Sequence, residues 1–326
     1  MGQINSGDTA LVLISATLVF LMTPGLAFFY GGLVRRKNVL TIMMQSFVSM
    51  GIVTVIWVFG GFSLVFGKDI GGVIGNLQYF GLNGVGMAPS HVYGPTIPFL
   101  VFFLFQEMFA VITPALITGA FADRVSFKSY LIFLISWSLL VYIPVAHWIW
   151  GGGFLQRMGV IDFAGGLVVH VTAGVAALAC VLFVGKRQLG PGETTTPHNI
   201  AFVALGTGLL WFGWFGFNGG SALAANGIAA YAFVNTDISG SVAMIVWLLI
   251  SWKRDGKPSI VGALTGAVAG LATVTPAAGY IQPWAAVLIG AASGAVCYGA
   301  VQIRAKLDLD DALDVFGCHG AGGILG

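Results

Sequence analysis

Two histidines lie in long apolar stretches of this sequence, where an ionisable side chain is costly. His170 stands in "FAGGLVVHVTAG" and His319 in "DVFGCHGAGG". An imidazole can carry a proton, ligate a metal or, with a second histidine, hold a haem. A metal site normally recruits a third ligand, and the adjacent Cys318 would point about 100° away from His319 on a helix. Each histidine could also simply bond a backbone carbonyl, so the residues alone leave these uses open.

Other ionisable residues also interrupt apolar stretches. They are Glu107, His147, Asp162, Asp237 and Asp314. Asp162 and Asp314 precede the two histidines, and we expect both at helix starts, where the positive end of the helix dipole stabilises a carboxylate. Near a cation path Asp162 could also orient backbone groups and supply negative potential. We interpret His147 as structural, whereas the residues assign no role to Glu107 or Asp237.

Aromatic residues gather around two glycine-rich stretches. The residues concerned are Phe105, Phe109, Trp148, Trp150, Trp214 and Phe217. Tryptophans at membrane interfaces commonly form a belt, which accounts for Trp148. The segments "HWIWGGG" and "WFGWFGFNGGSALAAN" are denser than a belt requires. Because aromatic faces attract cations by up to about 2 kcal/mol, these segments indicate a cation site.

The composition indicates an integral membrane protein. Of the 326 residues, 57% are hydrophobic and only 8% are charged, whereas a soluble domain carries about a quarter charged residues. The net charge of +2 is too small to indicate a nucleic-acid partner, and three cysteines do not form a disulfide framework. The 48 glycines favour closely packed transmembrane helices.

Ten apolar stretches are long enough to be counted as transmembrane helices. They lie at about 8–32, 40–66, 96–121, 129–148, 163–185, 199–218, 227–251, 259–276, 284–303 and from about 313. Twelve of the fourteen lysines and arginines fall in alternate loops. The positive-inside rule assigns those loops to the cytoplasm and the N-terminus to the outside. We therefore predict an all-α, multi-pass protein of the plasma or inner membrane.

Ten spans divide into two halves of five, at about 1–190 and 191–326, within one transmembrane domain. Because five is odd, the halves enter the membrane from opposite faces, as in transporters with inverted repeats and a site between the halves. A pseudo-twofold axis would bring His170 and His319 face to face at mid-membrane. The tenth stretch ends at Gly326, so we expect the C-terminal part to be missing.

Several motifs occur together in one order along the chain. They are "TPGLAFFYGGLVRRKNVL", "AHWIWGGG", "DFAGGLVVHVTAG", "WFGWFGFNGGSALAAN" and "DVFGCHGAGG". With them the sequence resembles the ammonium transporter family (Amt/Mep, related to Rh proteins) over essentially its whole length. The resemblance implies eleven helices, an external N-terminus and a homotrimer with a pore in each subunit.

The resemblance also implies site residues, position by position. The residues that resemble the external ammonium recruitment site are Phe105, Phe109, Trp150 and Ser221. Phe109 and Phe217 resemble the family's stacked gate, and His170 and His319 its twin pore histidines. Asp162 resembles the conserved aspartate beneath the recruitment site, and Trp214 is a supporting residue.

These residues predict transport of ammonium or ammonia through a channel, without a cofactor. The resemblance adds a cytoplasmic PII-type regulator or a fused signalling domain as partners. One alternative is an ammonium sensor that binds with little flux and acts through a C-terminal signalling domain. Another is a redox protein with a haem between His170 and His319. An enzyme is not indicated, since no nucleophile and base are paired.

Two residues depart from the family pattern. Glu107 lies between the two recruitment phenylalanines in the sequence, where the family usually has an uncharged residue, and Asp237 lies inside the predicted seventh helix. Either carboxyl could pair with a neighbouring subunit or be protonated. A carboxyl in the path would put conduction in doubt, so the position of Glu107 bears directly on the function.

Overall fold

The computed structural model describes residues 3–326 and is mostly helical. Its α-helices are α1 (Ser6–Leu33), α2 (Val39–Ile56), α3 (Phe62–Phe66), α4 (Phe99–Ile117), α5 (Phe127–Trp137), α6 (Ile143–Trp150), α7 (Phe154–Arg157), α8 (Thr172–Val184), α9 (Ile200–Gly219), α10 (Gly227–Asp255), α11 (Ile260–Val274), α12 (Pro283–Lys306) and α13 (Ala321–Leu325). Short π-helical turns occupy Trp57–Gly61, Ser138–Tyr142, Gly166–Val171 and Phe316–Gly320, and 3-10 turns occupy Arg36–Asn38, Phe80–Leu82 and Gly220–Ala222. The predicted membrane class is confirmed.

Eight helical segments in the described residues are long and apolar enough to span a bilayer. Two of them join α-helices through a π-turn, as α2 joins α3 through Trp57–Gly61. The predicted eighth span is a 15-residue helix, α11, and the tenth is only the π-turn at Phe316–Gly320 followed by α13. These two are shorter than the usual span of about 20 residues. The count of ten spans therefore stays a prediction.

Two short β-pairs occur between α3 and α4, which an all-helical expectation did not include. Strand β1 (Asp69–Ile70) pairs antiparallel with β2 (Ile74–Gly75), and β3 (Pro89–Ser90) with β4 (Gly94–Pro98). Glycines with positive φ turn the chain in this region, at Gly71 and Gly72 among others. The strands fold the loop against the end of the helical bundle.

Asparagine and serine side chains mark where several helices begin. The capping residues are Asn5, Ser126, Asn199, Asn226 and Ser259, and each side chain accepts a hydrogen bond from a backbone N–H of the first helical turn. Such caps satisfy donors that have no partner inside the helix. The helix starts are therefore specified locally, before any packing.

The first helix of each predicted half packs against the other along glycines. Helices α1 and α9 touch over much of their length, and Gly25 on α1 lies beside Leu209 and Leu210. A Cβ added to Gly206 would overlap the backbone of α1 at Phe29. Small residues let transmembrane helices approach until their backbones meet, because dispersion then acts over more atoms. This contact joins the two halves along their whole depth.

The fifth segments of the two halves also meet through glycine. A Cβ on Gly174, at the start of α8, would overlap the backbone of Gly320 in the π-turn Phe316–Gly320. Each glycine stands four or fewer residues from one of the two histidines, His170 and His319. The close backbone approach therefore sets how near the two imidazoles come.

Ion pairs tie the loops together at the lysine- and arginine-rich end. Arg35 bonds both Asp123, at 2.8 Å, and Glu193, at 2.6 Å, and thus links three loops. Lys37 also bonds Glu193 and, as the main cause, lowers the pKa of that carboxyl to about 2. Glu193 lies in the linker between the two predicted halves, so its charge fastens the linker at neutral pH.

We predict that Gly174→Ala destabilises the protein. The added methyl group meets backbone atoms of Gly320, which cannot move aside as a side chain could. Overpacking of this kind costs about 1–3 kcal/mol. Thermal unfolding of the detergent-solubilised protein, followed by fluorescence size-exclusion chromatography, should show a lower midpoint.

Gly208→Ala is the matched control, because a Cβ there meets no atom within 4 Å. Its unfolding midpoint should equal or exceed that of the unaltered protein. Equal midpoints for the Gly174 and Gly208 variants would contradict the proposed backbone contact.

Candidate functional site

An outer cavity opens at the end of the bundle opposite the ion-paired loops. Among its lining residues are Phe109, Trp150, Asp162 and Ser221, together with Gln106 and Tyr280. The structure thus brings three of the four predicted recruitment residues, Phe109, Trp150 and Ser221, to one cavity. Sequence reasoning missed Gln106, although it lies three residues before Phe109 and so shares its helix face.

Phe105 is the predicted recruitment residue that does not line this cavity. Its ring is fully buried and lies behind Phe109, with ring centroids 5.0 Å apart and planes at 68°. On α4 the cavity is lined by Phe102, Gln106 and Phe109, which are spaced three and four residues apart. Phe105 has a similar spacing, but its ring packs against Gly220 and Phe109. It can support Phe109 but does not face the cavity.

The polar groups of the outer cavity are held by bonds within the chain. The Trp150 indole donates to the backbone oxygen of Asp162 at 2.9 Å, and its ring meets Phe109 edge-on at 5.9 Å. The Ser221 hydroxyl donates to the Phe217 carbonyl at 2.8 Å. Since the hydroxyl proton is used inside, the oxygen lone pairs of Ser221 remain available as acceptors. The cavity therefore offers an acceptor and aromatic faces, as a small cation requires.

Two phenylalanine rings close the floor of the outer cavity. The centroids of Phe109 and Phe217 lie 4.3 Å apart at an angle of 36°, and each residue is only 1% exposed. Phe109 lines the outer cavity, whereas Phe217 lines a second, inner cavity beneath it. The ring pair thus separates two compartments, which is the position that a gate must occupy.

The inner cavity contains both histidines. The Nδ1 atoms of His170 and His319 lie 3.3 Å apart, and the two rings are offset at 5.2 Å with planes 23° apart. Trp214 stacks on His170 at 5.4 Å, while its indole donates to Thr275. The His170 Nε2 atom is buried and has no hydrogen-bond partner among residues 3–326.

The remaining walls of the inner cavity are almost wholly apolar. Leucine, isoleucine, valine and phenylalanine side chains surround the imidazoles, and the apolar residues include Leu26, Ile112, Val169, Leu210 and Val268. A desolvated cation would lose its hydration here without replacement, which costs many kcal/mol. The Nε2 atom of His170 is thus a polar group placed where a small neutral molecule could bond to it.

The histidine geometry does not suit a haem between the rings. Two imidazoles on opposite sides of a haem iron would hold their ligating nitrogens about 4 Å apart, with the porphyrin between the rings. Instead Nδ1 and Nδ1 are within hydrogen-bonding distance. In the described part of the chain, no three His, Cys, Asp or Glu side chains form a metal-ligating group. The hydrogen-bonded pair thus leaves the haem alternative without a site.

Both histidines lie in π-helical turns. His170 belongs to the turn Gly166–Val171 and His319 to the turn Phe316–Gly320. A π-turn inserts one residue into the helical repeat and so changes the direction of the side chains it carries. The π-turns therefore point the two imidazoles toward each other. Regular helices would not bring the two Nδ1 atoms to this distance.

Asp162 holds the first of these turns. Its carboxylate accepts four backbone N–H groups, from Gly165 and Gly166 on one oxygen and from Leu167 and Val168 on the other, at 2.7–3.0 Å. One buried side chain thus pairs the four backbone N–H groups that have no partner within the helix. The helix-start role expected for Asp162 is confirmed by these bonds.

Asp314 also directly precedes a helical segment, as expected, but its carboxylate does not cap that segment. The Asp314 carboxylate bonds Arg304 at 2.6 Å, and its backbone has a positive φ of 57°. Asp311 takes the capping role instead, because its Oδ2 accepts from Phe316 N at 2.8 Å. Equal spacing was the missed signal: Asp311 precedes His319 by eight residues, as Asp162 precedes His170.

Glu107 lies outside both cavities. It is buried where α4 faces α2, and one carboxyl oxygen accepts from the Thr54 hydroxyl at 2.5 Å. Neither the outer nor the inner cavity includes Glu107 in its lining. The carboxyl therefore does not stand in the path, and the concern that it blocks conduction is removed.

His147 has a structural role, as expected. Its fully buried ring bonds the Val65 carbonyl through Nδ1 at 2.6 Å and the Asp69 carboxylate through Nε2 at 2.9 Å. This bond from His147, with a further one from Arg157, lowers the pKa of the Asp69 carboxyl. The cluster fastens the first β-pair to α6, away from the two cavities.

We predict that Asp162→Asn destabilises the protein more than Asp311→Asn. An asparagine has one acceptor oxygen, so at position 162 it leaves two of the four N–H groups unpaired. The expected loss in unfolding free energy is about 2–4 kcal/mol. At position 311 only one bond is involved. Unfolding midpoints measured side by side test this order, and the reverse order would contradict it.

Comparison with known proteins identifies the family. The model of the Ammonium Transporter Family matches residues 10–326. The chain is 51% identical to a putative ammonium transporter of Methanothermobacter thermautotrophicus, over 99% of this chain and 79% of that protein. It is 49% identical to an ammonium transporter of Bacillus subtilis, over 98% and 78%.

Solved structures agree with the sequence matches. The crystal structure of Candida albicans Mep2 superposes with a TM-score of 0.92 at 39% identity, covering 99% of this chain and 72% of that one. A structure titled "Sensor Amt Protein" has a TM-score of 0.91 at 30% identity, covering 98% and 80%. The resemblance inferred from the motifs is confirmed, and the relatives are named as transporters, not enzymes. The chain is a multi-pass membrane protein that belongs to the ammonium transporter family.

Proposed function

We propose that this chain moves ammonium nitrogen across the membrane as neutral ammonia through a path between its two histidines. The observation that carries the proposal is the hydrogen-bonded pair of His170 and His319 in an apolar cavity beneath a closed ring pair. Family membership supports ammonium as the substrate. The path, the gate and the proton relay are the parts proposed here.

Ammonium first binds in the outer cavity. The ion is a small cation with four N–H donors, and Ser221 offers an oxygen acceptor. The faces of Phe109 and Trp150 add cation–π attraction. The backbone oxygen that bonds Trp150 belongs to Asp162, so the residue that caps the π-turn also positions the indole.

The phenylalanine pair then selects by desolvation. Phe109 and Phe217 must move apart for a molecule to pass, and beyond them the walls are apolar. A cation loses its hydration there, and low polarity disfavours the charged form of an amine. Ammonium can leave its proton behind, whereas potassium cannot. Selectivity therefore rests on a reaction that the competing ion is unable to perform.

The two histidines supply the polar contacts in the inner cavity. When both imidazoles are neutral, one Nδ1 carries the proton of the shared bond and the other accepts it. When one Nε2 takes up a proton, the shared proton crosses to the other Nδ1 and the second Nε2 releases its proton, so that both rings stay neutral and the two Nε2 atoms exchange donor and acceptor roles. The unpaired Nε2 of His170 is then either an acceptor for ammonia or a donor to it. The pair thus acts as a relay.

The wider arrangement proposed is one transmembrane domain of two halves, about 1–190 and 191–326, with a pore in each subunit of a homotrimer. The loops rich in lysine and arginine face the cytoplasm, and the N-terminus is outside. Regulation acts at that face, through a PII-type protein or a fused signalling domain. The ion-paired loops around Arg35 and Arg187 form the surface that such a partner meets.

An ammonium sensor is the second candidate. It is favoured by the 30% identity to the structure titled "Sensor Amt Protein", which covers 98% of this chain. A sensor needs the outer site but not passage between the histidines. Proteoliposomes distinguish the two functions: saturable ammonium binding without uptake favours a sensor, and uptake favours a transporter.

We predict that His170→Ala lowers ammonium uptake at least tenfold. The change removes the shared hydrogen bond and a buried, unpaired ring nitrogen in the inner cavity, so ammonia loses its polar contact. Uptake is measured in proteoliposomes with an internal pH indicator. His91→Ala is the control, since His91 is exposed in a loop and should leave uptake unchanged. Normal uptake after removal of both His170 and His319 would refute the relay.

We predict that Ser221→Ala raises the ammonium concentration for half-maximal uptake about fivefold. One hydrogen bond to the cation is lost, worth about 1 kcal/mol. The maximal rate should change little, because the inner cavity is untouched. Ser129→Ala, at the opposite end of the bundle, is the control. A fall in maximal rate with unchanged half-saturation would argue against a recruitment role.

A further inference from the structure

A single carboxyl is exposed in the middle of the apolar surface of α10. Asp237 points outward, whereas the next polar side chains, Asn235, Thr236 and Ser239, are buried and bond within the chain. The Asp237 carboxyl makes no hydrogen bond or ion pair with any other residue in 3–326. Exposed apolar residues flank it along the same helix face, at Val234 and Ile245 among others.

The depth of Asp237 puts it within the hydrocarbon layer. It lies ten residues after Gly227, the first residue of the 29-residue helix α10, which is about 15 Å along the axis. Lipid offers neither a donor nor an acceptor at this depth, and carboxyls in such positions face protein partners as a rule. An exposed membrane carboxyl with no partner among residues 3–326 therefore points to a partner in another molecule.

The chain itself presents a complementary group at the same depth. Thr17 is exposed on α1, on a face formed by residues three or four positions apart, such as Leu13, Ile14 and Phe20. The outer ends of α1 and α10 are level, because the Asp8 carboxylate accepts from Ala225 N at 2.8 Å. Thr17 lies eleven residues into α1, or about 17 Å, close to the depth of Asp237.

We propose that the carboxyl of Asp237 hydrogen-bonds the hydroxyl of Thr17 in a second copy of this chain. The Thr17 hydroxyl donates to the Ile14 carbonyl at 2.7 Å, which leaves its oxygen free as an acceptor. In its neutral form a carboxyl has one O–H, which Asp237 donates to that oxygen in the proposed contact. The inference rests on the homotrimer proposed above and names the polar contact between its subunits.

The contact sets the geometry of the assembly. A twofold dimer through the α10 face would bring that face against itself, with carboxyl opposite carboxyl and apolar residues elsewhere. In the proposed contact the α10 face of one copy meets the α1 face of the next, so the two surfaces differ. Such head-to-tail interfaces close into rings, as a trimer requires. Asp237 then favours this pairing of faces, because it joins the exposed carboxyl to a hydroxyl at a similar depth.

Cysteine cross-linking tests the contact directly. Thr17→Cys and Asp237→Cys are combined in a Cys180→Ser background, which removes the one half-buried native cysteine, and membranes are treated with an oxidant or a short thiol-bridging reagent. Most of the protein should migrate as covalent dimers and trimers under denaturing conditions. The matched control pairs Asp237→Cys with Val55→Cys, an exposed position on α2, and should stay monomeric. Equal cross-linking of the two pairs would overturn the proposal.

A second pair of variants separates bonding from packing. Asp237→Asn keeps a hydrogen-bond donor, so its oligomer should resist dissociation like the unaltered protein. Asp237→Leu removes the donor, and the monomer fraction in detergent should rise about three- to tenfold. A leucine variant as resistant as the asparagine variant would overturn the proposal. Ammonium uptake is measured in parallel: cross-linking without uptake refutes the transport function alone, and uptake without cross-linking refutes this contact alone.

Discussion

The hydrogen bond between His170 and His319 is the interaction on which the rest of the structure depends. Their Nδ1 atoms are 3.3 Å apart inside a cavity with almost no other polar group. Two imidazoles reach this distance only if the helices that carry them nearly touch. Glycines at 174 and 320 allow that approach, and the π-turns rotate both rings toward the cavity. Two of the four π-turns therefore lie where the chemistry takes place.

The two carboxylates that precede the histidines show how this irregularity is stabilised unequally. Asp162 satisfies four backbone donors, whereas Asp311 accepts from Phe316 and keeps a buried oxygen without a partner among residues 3–326. Both lie eight residues before a histidine. The π-turn Gly166–Val171 is thus held by four hydrogen bonds beneath the recruitment cavity. The π-turn Phe316–Gly320 is held by one, and one carboxyl oxygen of Asp311 is left without a partner among residues 3–326.

Much of this arrangement could be predicted from sequence, because it depends on residue type and spacing. The apolar stretches, the alternating basic loops and the meeting of two distant histidines follow from periodicity and charge. The π-turns do not, since helical sequences carry no local signal for one extra residue in a turn. The counterpart of Asp162 in the second half did have a sequence signal, the equal spacing of eight residues before each histidine. The outward direction of Asp237 depends on how α10 packs, which its own sequence does not specify. Phe105 was assigned to the cavity by resemblance, but its ring packs behind Phe109 and against Gly220, a contact that spacing alone does not reveal.

The most direct measurement of the central claim is nitrogen NMR of the imidazoles in protein labelled with nitrogen-15 at histidine and reconstituted in lipid. The account predicts that, of the two Nδ1 atoms of His170 and His319, one is protonated and one is bare, with a scalar coupling between them across the hydrogen bond. Replacing either histidine should remove that coupling. Two protonated or two bare Nδ1 atoms, with no coupling, would contradict the shared bond and the relay built on it.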